Sequence, residues 1–180
     1  MRWSRRVRSL ALPLALGCAL AGCGRSGDEG KTSRAPARRI DPCALLTAGD
    51  AQAALGGPVG QLMMTSVLDD ARNSSGDPAQ CGYGLEDDAS RTVRLEVRPM
   101  ADAARAQGAL DSARSVLAAS GVTDVAGLGD AAFWAGGAIH QLHVRQGSTG
   151  IVVTCDPGPG KDALATAKAV AGRALGRLPR

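Results

Sequence analysis

Val93-Arg94-Leu95-Glu96-Val97-Arg98 alternates apolar and charged side chains at every step, and the stretch that follows it, Ala101 to Ala119, does not. In an extended chain successive side chains point to opposite faces, so Val93, Leu95 and Val97 share one face and the three charges the other. That is a strand with one side buried. In Ala101–Ala119 the apolar positions Ala106, Ala109, Leu110, Ala113, Val116 and Leu117 recur at intervals that place them along one side of a helix, and Ser120-Gly121 closes the run. A change of period from two to helical within one short stretch points to a mixed α and β domain.

Working outward, Cys81, Tyr83 and Leu85 alternate with Gly82 and Gly84 and predict a neighbouring strand. Upstream, Val59 to Leu68 mixes β-branched and Met residues and ends in Asp69-Asp70, and Asn73 to Pro78 reads as a loop. Thr47 with Asp50 three residues later forms a capping-box signature, and Ala48, Ala51, Ala54 and Leu55 share a face before Gly56-Gly57-Pro58 stops the helix. Downstream, Val122–Val125, Ala131–Trp134, Ile139–Arg145 and Gly150–Cys155 are short strand candidates. A last helix from about Asp162 to Leu178 has Leu164, Ala167, Ala171, Ala174, Leu175 and Leu178 in register. Counting the firmer strands, the order is α-βββ-α-βββ-α. Runs of neighbouring strands favour hairpin pairing, so the expected fold class is α+β, a curved antiparallel sheet with helices on one face.

The chain has 180 residues, 44% hydrophobic and 21% charged, enough apolar residue for a packed core. Its net charge of +4 comes from the N-terminus. Residues 1–22 hold Arg2, Arg5, Arg6 and Arg8 and no acid, and from Pro42 onward 12 bases face 14 acids. The bases form no stripe with interleaved aromatics, which argues against a nucleic-acid partner.

Met1 to Arg8 is a basic segment and Leu10 to Leu20 an apolar one, too short to span a bilayer and of the length of an export signal. Leu20-Ala21-Gly22-Cys23 resembles the lipobox of bacterial lipoproteins. The resemblance implies cleavage between Gly22 and Cys23, with Cys23 diacylated by palmitate-class chains, leaving 1–22 as signal peptide, 23–41 as lipidated cysteine and tether, and 42–180 as one domain. Two or more acyl chains anchor a protein stably without crossing the membrane. Gly24 after Cys23 suits the outer membrane, facing the periplasm, of a Gram-negative cell; in a Gram-positive cell the anchor holds the domain to the cell membrane. Gly24 to Asp41 is polar until Ile40 and reads as a solvated linker.

Cleavage removes Cys18 and lipidation uses Cys23, so Cys43, Cys81 and Cys155 remain in an oxidising compartment, most simply as one disulfide and one free thiol. Loop-closure entropy is worth about 4 kcal/mol for linking Cys43 to Cys81 and little more for Cys81 to Cys155, so it does not choose between them. Cys155 ends the Ile151, Val153, Cys155 face and reads as a small buried hydrophobe.

His140 and His143, three apart in a strand candidate, point to opposite faces and make a poor metal pair. No zinc, serine-hydrolase or EF-hand pattern is present, and Asp156-Pro157-Gly158-Pro159-Gly160-Lys161 lacks the P-loop ending and reads as a rigid turn. Asp69-Asp70 and Glu86-Asp87-Asp88 read as solvated loop tips rather than a calcium site. Neighbours in a strand, Phe133 and Trp134 face opposite ways, which makes one or the other a candidate exposed contact for a partner and both candidate core anchors.

Asp41-Pro42-Cys43-Ala44-Leu45-Leu46-Thr47, Ala54-Leu55-Gly56, Cys81-Gly82-Tyr83 and Gly127-Leu128-Gly129-Asp130-Ala131-Ala132-Phe133-Trp134 together resemble a family of small lipoproteins of actinobacteria and other high-GC bacteria, a domain of unknown function. The resemblance implies a fold of the photosystem-P and Mog1-like kind or of tandem-repeat β-lactamase-inhibitor proteins, and no activity. It favours a Cys43–Cys81 bridge, tying the first helix to the sheet.

The function expected is therefore a lipid-anchored, non-catalytic envelope domain without cofactor or metal, binding another envelope protein or component through its sheet face or loops. An exposed, weakly charged sheet face favours that reading, and a sheet covered on both sides counts against it. The alternatives are an envelope hydrolase, with Cys155 or an acidic residue in reach of a His, and a carrier with an apolar cavity between sheet and helices.

Overall fold

The computed structural model describes residues 40–62 and 79–179. The signal, Cys23, the tether up to residue 39 and the Asp69-Asp70 pair lie outside them.

Two short helices open the domain, α1 (Pro42–Leu45) and α2 (Ala48–Leu55). The Asp41 carboxylate accepts the Cys43 N–H at 2.8 Å, and Pro42, which has no N–H to leave unpaired, begins α1. Thr47 and Asp50 form the expected capping box: Thr47 Oγ1 accepts the Asp50 N–H at 3.2 Å and the Asp50 carboxylate accepts the Thr47 N–H at 3.1 Å. Gly56, with φ +86°, ends α2 in the left-handed region.

Then follow β1 (Val59–Gln61), β2 (Ala79–Leu85), β3 (Thr92–Pro99), α3 (Ala103–Val116), β4 (Val122–Asp124), β5 (Ala131–Ala135), β6 (Gln141–Gln146), β7 (Thr149–Asp156) and α4 (Ala163–Arg177). The strands form one open seven-stranded sheet in the order β1-β2-β3-β7-β6-β5-β4, antiparallel at every pairing. The chain thus builds a hairpin run at each end of the sheet and joins them through β3 and β7. There Val93, Leu95 and Val97 stand opposite Cys155, Val153 and Ile151. All six side chains are buried, so the most apolar pairing occupies the centre.

The observed order, ααβββαββββα, differs from the expected one by adding a short helix, α1, ahead of the expected first helix and β4 to the second run of strands. The placement of helices on one face is corrected as well. α1, α2 and α4 pack on the face bearing Leu95, Leu142, Val153 and Trp134, whereas Leu110 of α3 packs on the other face, with Phe133 and Ala135. The physical reason is visible in β6 and β7, where Leu142-His143-Val144 and Ile151-Val152-Val153 are buried without a break. A strand apolar at consecutive positions needs cover on both sides. Two helix positions also differ from expectation. Val116 is 78% exposed, because α3 touches the sheet only along Ala106 and Leu110 and their neighbours, and Ala48 lies on the solvent side of α2.

Candidate functional site

Cys43 and Cys81 form a disulfide with their Cα atoms 5.1 Å apart, joining α1 to β2. The third cysteine, Cys155, is fully buried and unpaired. Burial pushes its thiol up to about 12, with nearby Asp156 adding to the effect and Lys161 opposing it. A nucleophilic cysteine needs the opposite shift.

His143 lies on the other face of the sheet from Cys155. Its ring stacks on Phe133 at 4.6 Å between centroids, and its Nε2 is 3.2 Å from Gln141 Oε1. Burial, and then the positive charge of Arg98, lower its pKa to about 4, so it is neutral at pH 7. His140 falls outside β6 in a turn with φ +45°, and its ring stacks on Trp134 on the face opposite His143, so the two rings face apart as expected but the turn, not strand alternation, puts His140 there. Its carbonyl accepts the Cys155 backbone N–H at 3.1 Å, but no hydrogen bond links the Cys155 thiol to an imidazole among the described residues. The Cys155–His hydrolase arrangement is therefore not assembled.

Phe133 is wholly buried and Trp134 is 8% exposed, on opposite faces. Neither ring is an exposed partner contact: Phe133 packs with Leu110 of α3, and Trp134 lies in the larger core cluster with the His140 ring stacked on it at 6.0 Å. Arg114 lies over the outer side of Phe133, 4.8 Å from its centroid. Among the acidic loops, Asp88 accepts from both the backbone and the hydroxyl of Ser90, which lowers its pKa and closes a local turn. No group of three metal-ligating side chains converges among the described residues. Residues 156–161 form the expected turn, with Gly158 and Gly160 at positive φ.

Among the described residues, part of the face that α3 covers is left open. α3 lies over β6 and β7, and Leu62 sits against Gly82 and Gly84 of β2. Between them runs a strip bearing Arg94, Glu96 and Arg98 of β3, Gln80 of β2 and Thr154 of β7, of which Arg94 and Arg98 are exposed. Glu96 is bound by Arg98 and by Gln80, so the strip is polar and nearly neutral. At its border a groove beneath α3 is walled by Ala106, Ala109 and Leu110, floored by His143 and Val152, and rimmed by Arg98 and Arg145. Its free volume of about 30 Å³ admits a water or two, not a carried ligand.

Sequence reading missed a second polar cluster. Asp50, 7% exposed, takes Arg177 on both oxygens, Thr47, and Arg173 at 3.5 Å. These hydrogen bonds, Arg177 foremost, outweigh burial and hold the carboxyl at about 2. Arg177 also donates to the Leu45 carbonyl at 2.8 Å, and at the far end of α2 the Leu55 carbonyl receives Lys161 at 2.8 Å and Arg91. Cations from distant parts of the chain thus close the free carbonyls of α1 and α2. Only the Thr47–Asp50 spacing marked this region in advance.

The described residues define a disulfide-bonded α+β domain with helices on both faces of its sheet and a polar strip that none of those helices covers. No protein-family model matches the chain, and no curated protein matches it.

Proposed function

We propose that the chain is an exported lipoprotein, anchored through Cys23, whose domain is a non-catalytic binding module for another envelope protein or component. The observation that carries the reading is the Cys43–Cys81 bridge. A structural disulfide requires an oxidising compartment, and export is what the basic start, the apolar stretch and Leu20-Ala21-Gly22-Cys23 encode. The open strip around Arg94 and Arg98 supplies the binding surface. It is weakly charged, as the binding reading requires, although helices on both faces confine it to one part of the sheet. The photosystem-P/Mog1-like or inhibitor-like fold implied by the resemblance belongs to the same proposal, supported by the antiparallel sheet.

Crosslinking in intact cells with tagged full-length protein tests this reading, alongside palmitate labelling and membrane fractionation. The wild-type chain takes up label and sediments with membranes, and Cys23→Ala does neither. One envelope protein is enriched over an untagged strain, crosslinked at the β3 strip, and is lost in Arg94→Glu/Arg98→Glu. Absence of label removes the anchor, and a partner retained by the double variant removes the strip.

A further inference from the structure

Within the helical layer opposite the strip, α4 carries charge of one sign only. Lys168, Arg173 and Arg177 are the only charged side chains within α4, all three exposed, and the only charge within α1 or α2 is the buried Asp50. The carboxylates at the margins, Asp41 and Asp162, are engaged in capping backbone N–H groups. Between the bases the surface is small. Ala53, Ala165 and Ala169 border a shallow cleft of about 280 Å³ between α2 and α4, so no bulky side chain holds a flat partner away from the cationic heads. Arg173 and Arg177 share the single buried carboxylate of Asp50 and Lys168 has no acid partner among the described residues, whereas on the α3 side Arg98, Arg114 and Arg145 each have a carboxylate of their own.

The tether joins the domain at this layer. Asp41 caps α1, and Arg177 reaches from the end of α4 to the α1 carbonyl of Leu45. Arg34, Arg38 and Arg39 immediately precede the junction in sequence. Seventeen residue steps separate Cys23 from Ile40, which bounds their separation at about 60 Å whatever path the chain takes. A domain held that close to a bilayer needs only a modest attraction to settle on it, and juxtamembrane bases supply one on anionic lipid.

We propose that the outer face of α4, through Lys168, Arg173 and Arg177, docks on the anionic headgroups of the membrane that carries the anchor, which turns the β3 strip away from the lipid and toward a partner. The proposal rests on the lipoprotein reading for the tether but is separable from it by experiment.

The test uses the mature full-length protein as cells process it, added to vesicles of pure phosphatidylcholine or of phosphatidylcholine with a third phosphatidylglycerol. An environment-sensitive dye is attached in separate preparations at Ala169→Cys on α4 and Ser112→Cys on α3; Cys155 is buried and takes none. On the anionic vesicles the dye at 169 loses at least half of its quenching by aqueous acrylamide and the dye at 112 keeps its own. Salt at about 0.5 M, which shortens the Debye length to about 4 Å, restores quenching at 169. Equal quenching at the two positions overturns the proposal. An acylated protein floats with both kinds of vesicle, so failure to float with pure phosphatidylcholine reports loss of the anchor alone. In that event, flotation with the anionic vesicles, weakened roughly 25-fold by Lys168→Glu, sustains the docking face, and no flotation overturns it.

Discussion

His143 is the imidazole that the sheet buries, and its surroundings explain why the ring is neutral at pH 7. Phe133 stacks on it, Val152 stands beside it in register, and Arg98 repels a second positive charge. A folded-state pKa of about 4 against 6.5 in the unfolded chain means that the unfolded state takes up the proton first. The contribution to stability is complete above pH 6.5 and is lost as pH falls toward 4, by up to about 3 kcal/mol. A chemical-shift titration of the His143 ring is expected to give a midpoint near 4; a midpoint near 6.5 removes the argument. His140 and His143 face apart as strand alternation would have them, but His140 stands in a turn at positive φ that the spacing did not reveal. That His143 would be buried against Phe133 was not legible either, because period-two spacing assigns a face without saying what covers it.

At the scale of elements, the turn from β4 to β5 holds Gly127 and Gly129, both at positive φ but in different surroundings. A Cβ at Gly129 would stand 2.5 Å from the Arg145 carbonyl oxygen, whereas one at Gly127 meets nothing. Gly127→Ala therefore costs about 1 kcal/mol of backbone strain, and Gly129→Ala costs more than twice that, since β6 must shift to admit the methyl group. Denaturant unfolding of the two variants checks the ordering, and equal losses would show that β6 is not held in register there. Elements with strong local signals were legible. The capping box at Thr47 and Asp50, the alternation of β3 and the glycine stop after α2 each report a local free energy. Val116 was misread because helical period cannot tell how wide a stripe the partner surface accepts.

For the whole molecule, the disulfide is the constraint with the longest reach in the amino-terminal half, closing 38 residues. Replacing both cysteines, as Cys43→Ser/Cys81→Ser, is expected to lower stability by about 4 kcal/mol in the chain-entropy account. Unfolding of the oxidised, reduced and doubly substituted proteins measures it. Agreement of the last two, both below the first, assigns the loss to the bridge, and coincidence of all three denies the bridge a stabilising role. Sequence alone determined the character of the pieces: a basic and apolar start, a polar stretch up to Asp41, an α+β succession of elements and three cysteines from Pro42 onward. These depend on neighbours within a turn of helix or a short run of strand. Only the tertiary structure decided that β3 pairs with β7, that α3 lies across the sheet from the other helices, and that Asp50 gathers Arg173 and Arg177. The strand pairing and the Asp50 cluster join groups fifty or more residues apart, and α3 packs through Leu110 on Phe133, more than twenty residues along the chain; the free energy that selects such contacts comes from burial and charge pairing in the assembled core, which no local window of sequence contains.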